Sequence, residues 1–325
     1  ANLPQVQEWM RPFCEKIKQD YPDALLLGEA ASASVNLAVD YTNKRNHLMD
    51  SVITFRYFTD DESKVDKRYP EQYQPKGIDF TAFKQNQVVW QQTLAGVSQP
   101  TLYWNNHDMA RLATRVAKTP TQAKSLAILM YLQHGIPVIY YGEELGLKNL
   151  HFTSVDQFED QTVAPWIKKA EQAGISREDA MTMVSETHKL PARGPMPWND
   201  TKNYGFTEGT PWINGIVEKH VSVASEVNSD ISMFTFYKKM IALKKESLFQ
   251  DGDYYMLPTD KNSYIYQRDL SDESAIVAVS LSNEKITVEI PQGYTEEKLK
   301  AGEYQLTNGK LTLMPYAGVV LKKEN

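Results

Sequence analysis

The sequence predicts a parallel α/β fold through residue 245 and a small all-β region after about residue 251, and three observations carry that expectation. Short apolar runs alternate with longer segments of helical hydrophobic period, as parallel strands alternate with the helices that cross between them. After residue 251 the long periods give way to short alternating runs. Between two of those runs stands Asn308-Gly309, a strong two-residue hairpin signal.

Taken in order, residues 4–20 read as an amphipathic helix, with Val6, Met10, Phe13 and Ile17 on one face and Pro4 in the first turn. A strand follows at 25–29 and another at 52–58. Residues 79–95 form a long helix whose Phe80, Phe83, Val88, Trp90 and Leu94 pack back on the strands. A strand at 101–104, a helix at 121–132, a strand at 137–141 and a helix at 232–245 complete the alternation. Residues 145–228 make a long insertion with helices at 161–173 and 176–189 and a Pro- and Gly-rich run at 191–212. Long connections of this kind tend to be functional lids. In the last region, 264–268, 275–280, 286–290, 304–307, 311–314 and 319–321 read as strands of an antiparallel sandwich.

The 325 residues, 42% hydrophobic and 23% charged, can bury a large core. Two unequal domains are expected, 1–250 and 251–325. A net charge of −6 without a basic cluster argues against a nucleic-acid partner. No apolar run reaches the length of a membrane span, and the first residues carry no signal-peptide pattern, so a cytoplasmic location is expected. The single cysteine, Cys14, excludes an internal disulfide and a Cys-based metal cluster.

Two strand ends carry the chemistry. The apolar run at 101–104 breaks into Asn105, Asn106, His107 and Asp108, at the carboxyl end of a strand where a parallel α/β protein presents catalytic groups. Alone this is ambiguous, because Asn106 or Asp108 equally suits the cap of a helix starting near Met109. The run before Glu29 ends the same way, and Gly28 leaves room there for a close approach. Two strand-end carboxylates suit acid/base work on a glycosidic bond, which needs a proton donor and a negative charge beside the developing cation.

Gly-Glu-Ala at 28–30, Asn-Asn-His-Asp at 105–108, Gly-Ile-Pro-Val-Ile-Tyr-Tyr-Gly-Glu-Glu at 135–144 and Ala-Arg-Gly-Pro-Met-Pro-Trp-Asn at 192–199 together resemble the α-amylase family, glycoside hydrolase family 13. Gly205-Phe206-Thr207 and Thr210-Pro211-Trp212 are similar to its oligo-1,6-glucosidase, dextran glucosidase and α-glucosidase branch. The resemblance implies the C-terminal half of a (β/α)8 TIM barrel, units five to eight, followed by a β-sandwich. The missing N-terminal half is then expected elsewhere in the full protein. It implies a retaining α-glucosidase on α-1,6- or α-1,4-linked gluco-oligosaccharides, with two carboxylates about 5 Å apart and no cofactor or metal.

By the same resemblance Glu29 is the general acid/base, and burial is expected to hold its pKa up. Asp108 binds sugar hydroxyls, His107 donates to a hydroxyl, Arg193 contacts the sugar at the non-reducing end and Lys76 lies near the acceptor sugar. Arg111 is expected as a structural ion-pairing residue, and Glu143 and Glu144 as support for the rim. The family's nucleophile motif, Gly-Phe-Arg-x-Asp, does not occur in this sequence, so this chain alone is expected to be inactive. Asp40, Asp50, Asp60 and Asp61 follow Glu29 and stand in the wrong order for that role. Met109, Ala110, Ala30 and Ala31 depart from the family's pattern and leave acceptor-side specificity open. Sucrose isomerisation or another glucosyl transfer, and a non-catalytic sugar-binding or scaffold role, are the alternatives.

Overall fold

The computed structural model describes residues 3–217 and 221–324. Its first element is α1 (Pro4–Asp20), with Pro4 in the first turn, where a missing N–H costs nothing. The inward stripe runs through Val6, Met10, buried Cys14 and Ile17. Phe13, expected on that stripe, is 56% exposed. The steps from Met10 to residues 13 and 14 differ by one helical position, and packing selects the side of Cys14.

β1 (Leu27–Glu29) pairs in parallel with β2 (Ser51–Ile53), Glu29 opposite Ile53. Between them lies α2 (Val35–Thr42), absent from the sequence reading, whose N-cap Ser34 accepts the Leu37 N–H at 3.3 Å. A two-residue ribbon, β3 (Asp60–Asp61) with β4 (Gly77–Ile78), precedes α3 (Phe80–Leu94). The Asp79 carboxylate caps α3 by accepting from Thr81 and Ala82 N–H.

β5 (Thr101–Leu102) is followed by α4 (Leu112–Arg115) and α5 (Pro120–Tyr131), then by β6 (Ile136–Pro137), parallel to β5. Side chains join β2 to β5: Ser51 donates to Gln99 O at 2.6 Å, Thr101 to Val52 O at 3.0 Å and Tyr103 to Thr54 O at 2.6 Å. The strand order is therefore β1-β2-β5-β6, four parallel units of a (β/α)8 barrel. These strands are shorter than the expected 25–29, 52–58, 101–104 and 137–141. Residues beyond the ladders, such as Tyr103 and Trp104, are fully buried but bond through side chains, as Trp104 Nε1 does to Leu126 O at 2.6 Å. Gly135 is required between β5 and β6, since a Cβ there would stand 2.4 Å from Pro100 O.

The insertion is more structured than a bare loop. α6 (Val163–Gln172) and α7 (Arg177–Thr187) build their own apolar cluster around Phe158, Trp166 and Val184, to which Tyr73 is added from the segment between β3 and β4. The chain then returns through α8 (Val223–Glu226), α9 (Met233–Lys244) and α10 (Ser247–Gln250).

Eight strands follow: β7 (Asp253–Met256), β8 (Ser263–Leu270), β9 (Glu273–Ser280), β10 (Ile286–Glu289), β11 (Tyr294–Ala301), β12 (Tyr304–Thr307), β13 (Lys310–Leu313) and β14 (Gly318–Lys323). They form two antiparallel sheets, ordered β11-β14-β9-β8-β7 and β10-β13-β12. Asn308 and Gly309 both take positive φ, 49° and 76°, as the two-residue hairpin requires. Ile265, Ile276, Val319 and Leu321 share one cluster with Leu311 and Leu313 of the smaller sheet. The alternate residues Tyr264, Tyr266, Val277, Val279 and Val320 belong to the main core with α5. Both faces of β8 and β9 are thus buried.

Two cations bind carbonyls where these layers meet. Arg268, with no exposed surface, donates to Leu132 O at 2.7 Å, Phe249 O at 3.0 Å and Gly252 O at 2.6 Å. Lys244 donates to Gln133 O at 2.6 Å and Phe249 O at 2.7 Å. Burial lowers the pKa of both, that of Arg268 to about 10. Among the described residues no helix is long and apolar enough to cross a membrane.

Candidate active site

The site is built outward from the end of β5. Buried Tyr103 and Trp104 anchor the chain, and Asn105, also buried, turns it. Asn105 Oδ1 accepts the Leu112 N–H at 2.5 Å while its amide donates to the Glu143 carboxylate. Asn106 Oδ1 accepts the Asp108 N–H at 2.8 Å. The expected helix at Met109 is therefore replaced by a side-chain-bonded turn, and α4 begins only at Leu112. The polar side chains offer the backbone an alternative to helix, and His107 and Asp108 are presented at the rim.

Asp108 is the centre of this rim. His107 Nε2 lies 3.2 Å from its Oδ2, while Arg193 Nη2 and Lys189 Nζ reach Oδ1 at 3.1 Å and 3.2 Å. Arg193 Nε also donates to His107 O at 2.7 Å. The Lys189 and Arg193 ion pairs are partly exposed and contribute at most about 1 kcal/mol each. What the group achieves is orientation, with Asp108 held by two cationic donors and His107 beside it.

Glu143 underlies the turn. It is buried, accepts Tyr131 OH at 2.5 Å and Tyr237 OH at 2.8 Å, and holds Asn105. Burial raises its pKa, opposed by these hydrogen bonds. Burial also raises the pKa of Glu144.

Arg111 was expected to form an ion pair. Instead its Nε donates to Ala192 O at 3.1 Å and its Nη1 to Tyr141 O at 2.8 Å, and its guanidinium stands 4.9 Å from the ring centres of both Tyr140 and Tyr141. Carbonyls and ring faces replace a carboxylate because the residue is deeply buried, where a cation needs several neutral acceptors at once.

Glu29 ends β1 and is exposed, so the burial expected of it is not found. Its charge is felt by Tyr103 across β2, where it adds to the burial that raises the tyrosine's pKa. Gly28 makes space for Met49, whose Cγ would lie 3.1 Å from an added Cβ, rather than for a ligand. Lys76 stands apart, held by Glu71 with Asp60 at 3.6 Å and Glu62 at 3.5 Å. The structure thus joins His107, Asp108 and Arg193 directly, and leaves Glu29 and Lys76 outside that cluster.

The sequence reading missed Lys189 as a member and gave Asn105 no role of its own. A signal for Lys189 was its position four residues before Arg193 at the end of a helical segment. Among the described residues, no group of three or more His, Cys, Asp or Glu side chains could hold a metal ion.

Four parallel strands with a polar carboxyl-end rim, backed by a β-sandwich, define an α/β-barrel protein. A sequence profile of the α-amylase catalytic domain matches residues 1–252. The chain belongs to the α-amylase family, glycoside hydrolase family 13. It is 29% identical over 334 residues to an oligo-1,6-glucosidase of Bacillus cereus, covering 99% of this chain and 59% of that protein. It is 28% identical over 334 residues to a trehalose-6-phosphate hydrolase of Bacillus subtilis (strain 168), covering 98% and 58%. A solved structure described as a family GH13_31 enzyme superposes with a TM-score of 0.91 at 79% identity, covering all of this chain and 58% of that one. The chain therefore spans somewhat more than half the length of these relatives.

Proposed function

We propose that this chain supplies the acid/base side of a retaining α-glucosidase acting on α-1,6- or α-1,4-linked gluco-oligosaccharides, within a longer protein. The observation that carries the reading is the Asp108 cluster, a strand-end carboxylate flanked by His107 and Arg193 on the same rim of the parallel sheet as Glu29. In this reading Glu29 protonates the leaving oxygen and then activates water. Its exposure suits a group that must meet both. Asp108 accepts from two adjacent sugar hydroxyls, holding them more tightly as the ring flattens. His107 and Arg193 donate to neighbouring oxygens. On the acceptor side, Lys76 would have to share its ammonium between a hydroxyl and its three carboxylates.

The nucleophile and the first half of the barrel would come from outside these residues. Residues 1–250 would be the catalytic part and 251–325 a stabilising β-sandwich. The insertion would cover the sugar, since it delivers Lys189 and Arg193 to Asp108.

The test is hydrolysis of isomaltose and maltose by the full-length protein, by this chain, and by this chain mixed with a polypeptide carrying the missing half. Activity is expected in the first and third samples only. Glu29→Gln in the full-length protein should lower kcat by about 10²–10⁴-fold. An inactive full-length protein, or an unaffected Glu29→Gln variant, would overturn the reading. Product analysis on sucrose separates glucose release from glucosyl transfer.

A further inference from the structure

Lys189 and Arg193 reach Asp108 from either end of one helical turn, Leu190–Arg193, which has no side-chain cap of its own. The residue that holds the turn's start is His188. Its Nδ1 accepts the Leu190 N–H at 3.1 Å, and its Nε2 lies 3.2 Å from Asp160 Oδ2. A nitrogen that accepts must carry a lone pair, so the proton of the neutral ring sits on Nε2 and is donated to Asp160.

The surroundings hold that state. The imidazole is 8% exposed and faces the rings of Tyr73 and Phe158, at 5.9 Å and 5.4 Å between centres. Burial lowers its pKa, and Lys189 and Arg193 act in the same direction against the opposite pull of Asp160. Asp160 is an ionised acceptor, its pKa pushed down to about 2 chiefly by the N–H and hydroxyl of Thr162, with His188 and Tyr73 adding to it. Leu190 is buried, and His188 Nδ1 is the partner of its N–H among the described residues.

The rest of the turn is tied to the β5 rim. Asn149 donates to His188 O at 3.2 Å and accepts the Arg111 N–H at 2.9 Å, and Arg111 Nε donates to Ala192 O. Within the turn Ala192 N–H donates to Lys189 O at 3.1 Å, and His188 Nδ1 holds the N–H of Leu190, the residue that follows Lys189.

We infer that His188 is a positioning residue for substrate binding: by accepting the Leu190 N–H it fixes the turn that presents Lys189 and Arg193 to Asp108. The inference rests on the proposed reading that this cluster holds the sugar. His188 touches no substrate. A turn released from Nδ1 would leave a buried N–H unsatisfied or shift to find a partner, and the two cations would move with it.

Two near-isosteric variants of the full-length protein separate the ring's two bonds. In His188→Asn the side-chain oxygen stands near Nδ1 and can still accept from Leu190. In His188→Gln the amide stands near Nε2 and can still reach Asp160 but not the Leu190 N–H. On isomaltose, KM should rise about tenfold or more for His188→Gln with a smaller change in kcat, and stay within about twofold of the parent for His188→Asn. Equal KM values for the two variants, or a raised KM only in His188→Asn, would overturn the inference. If His188→Gln does not fold, hydrogen exchange at the Leu190 amide of His188→Asn decides: slow exchange with parental KM supports the latch, and fast exchange with parental KM refutes it. Lack of hydrolysis by the parent protein would refute the glucosidase reading instead, so the two failures are distinguishable.

Discussion

The two strand ends that carry the proposed chemistry are built differently. At β5 the carboxylate of Asp108 is gripped by Lys189 and Arg193, with His107 beside it, and underpinned by Asn105 and the buried Glu143. At β1, Glu29 has no hydrogen-bond or ion-pair partner among the described residues, and its neighbours Leu25 and Leu27 are 57% and 37% exposed. The difference teaches that one rim is pre-organised by its own side chains, while the other is free to take its setting from whatever is placed against it. A group meant to hold sugar hydroxyls gains from fixed geometry. A group meant to exchange protons with leaving group and water gains from access.

The comparison breaks most readily at Glu143. Glu143→Ala would leave two tyrosine hydroxyls and the Asn105 amide without their acceptor. A loss of about 3 kcal/mol or more is expected in urea unfolding. A loss below about 1 kcal/mol would show that the β5 rim does not depend on that buried carboxylate. Arg111→Lys should cost about 1–2 kcal/mol, because an ammonium cannot reproduce both the Ala192 and Tyr141 bonds and the stacking on two rings.

Asp160 sharpens the comparison through pH. Its pKa in the fold, about 2, lies below the ordinary value of 3.8. The stabilisation is therefore present above pH 3.8 and is lost as pH falls towards 2. Asp160→Asn should cost about 1 kcal/mol near neutrality, a figure reduced for the carboxylate's partial exposure, and the cost should fade as pH falls through 2. A penalty independent of pH would assign the effect to packing. The smallest effect is expected at the other rim: Glu29→Gln should change stability by less than about 0.5 kcal/mol, whatever it does to the proposed activity of the full-length protein. A large loss of stability there would mean that Glu29 is structural.

The candidate site residues that the structure brings together are those whose place follows from a local pattern. Asp108 and His107 stand where an apolar run breaks into polar residues, and Arg193 lies in a four-motif order that covers the chain. The fold class was legible for the same reason, through the change from helical to alternating periods. The support beneath the site was hidden. Glu143 in Glu-Glu reads as a rim carboxylate, and only packing of α5 and α9 surrounds it with Tyr131 and Tyr237. Lys189 looked like a surface lysine until the turn after α7 aimed it. β11 was missed because Glu296, Glu297, Lys298 and Lys300 mask its alternation on the edge of the five-stranded sheet, and charged edges are what sheets use against mispairing. β7, also at an edge, was missed for its brevity.

The bonds from Arg268 of β8 to the carbonyls of Leu132 and Phe249, together with the apolar contact of α5 on β9 and β14, have a consequence for how the chain comes apart. Removing the sandwich would take Arg268 away from the carbonyls of Leu132, Phe249 and Gly252, leaving Lys244 of α9 on Gln133 and Phe249, and would bare the face of α5 at once. The helical and β layers should therefore unfold as one cooperative unit, with heating melting them in a single calorimetric transition rather than shedding the sandwich first.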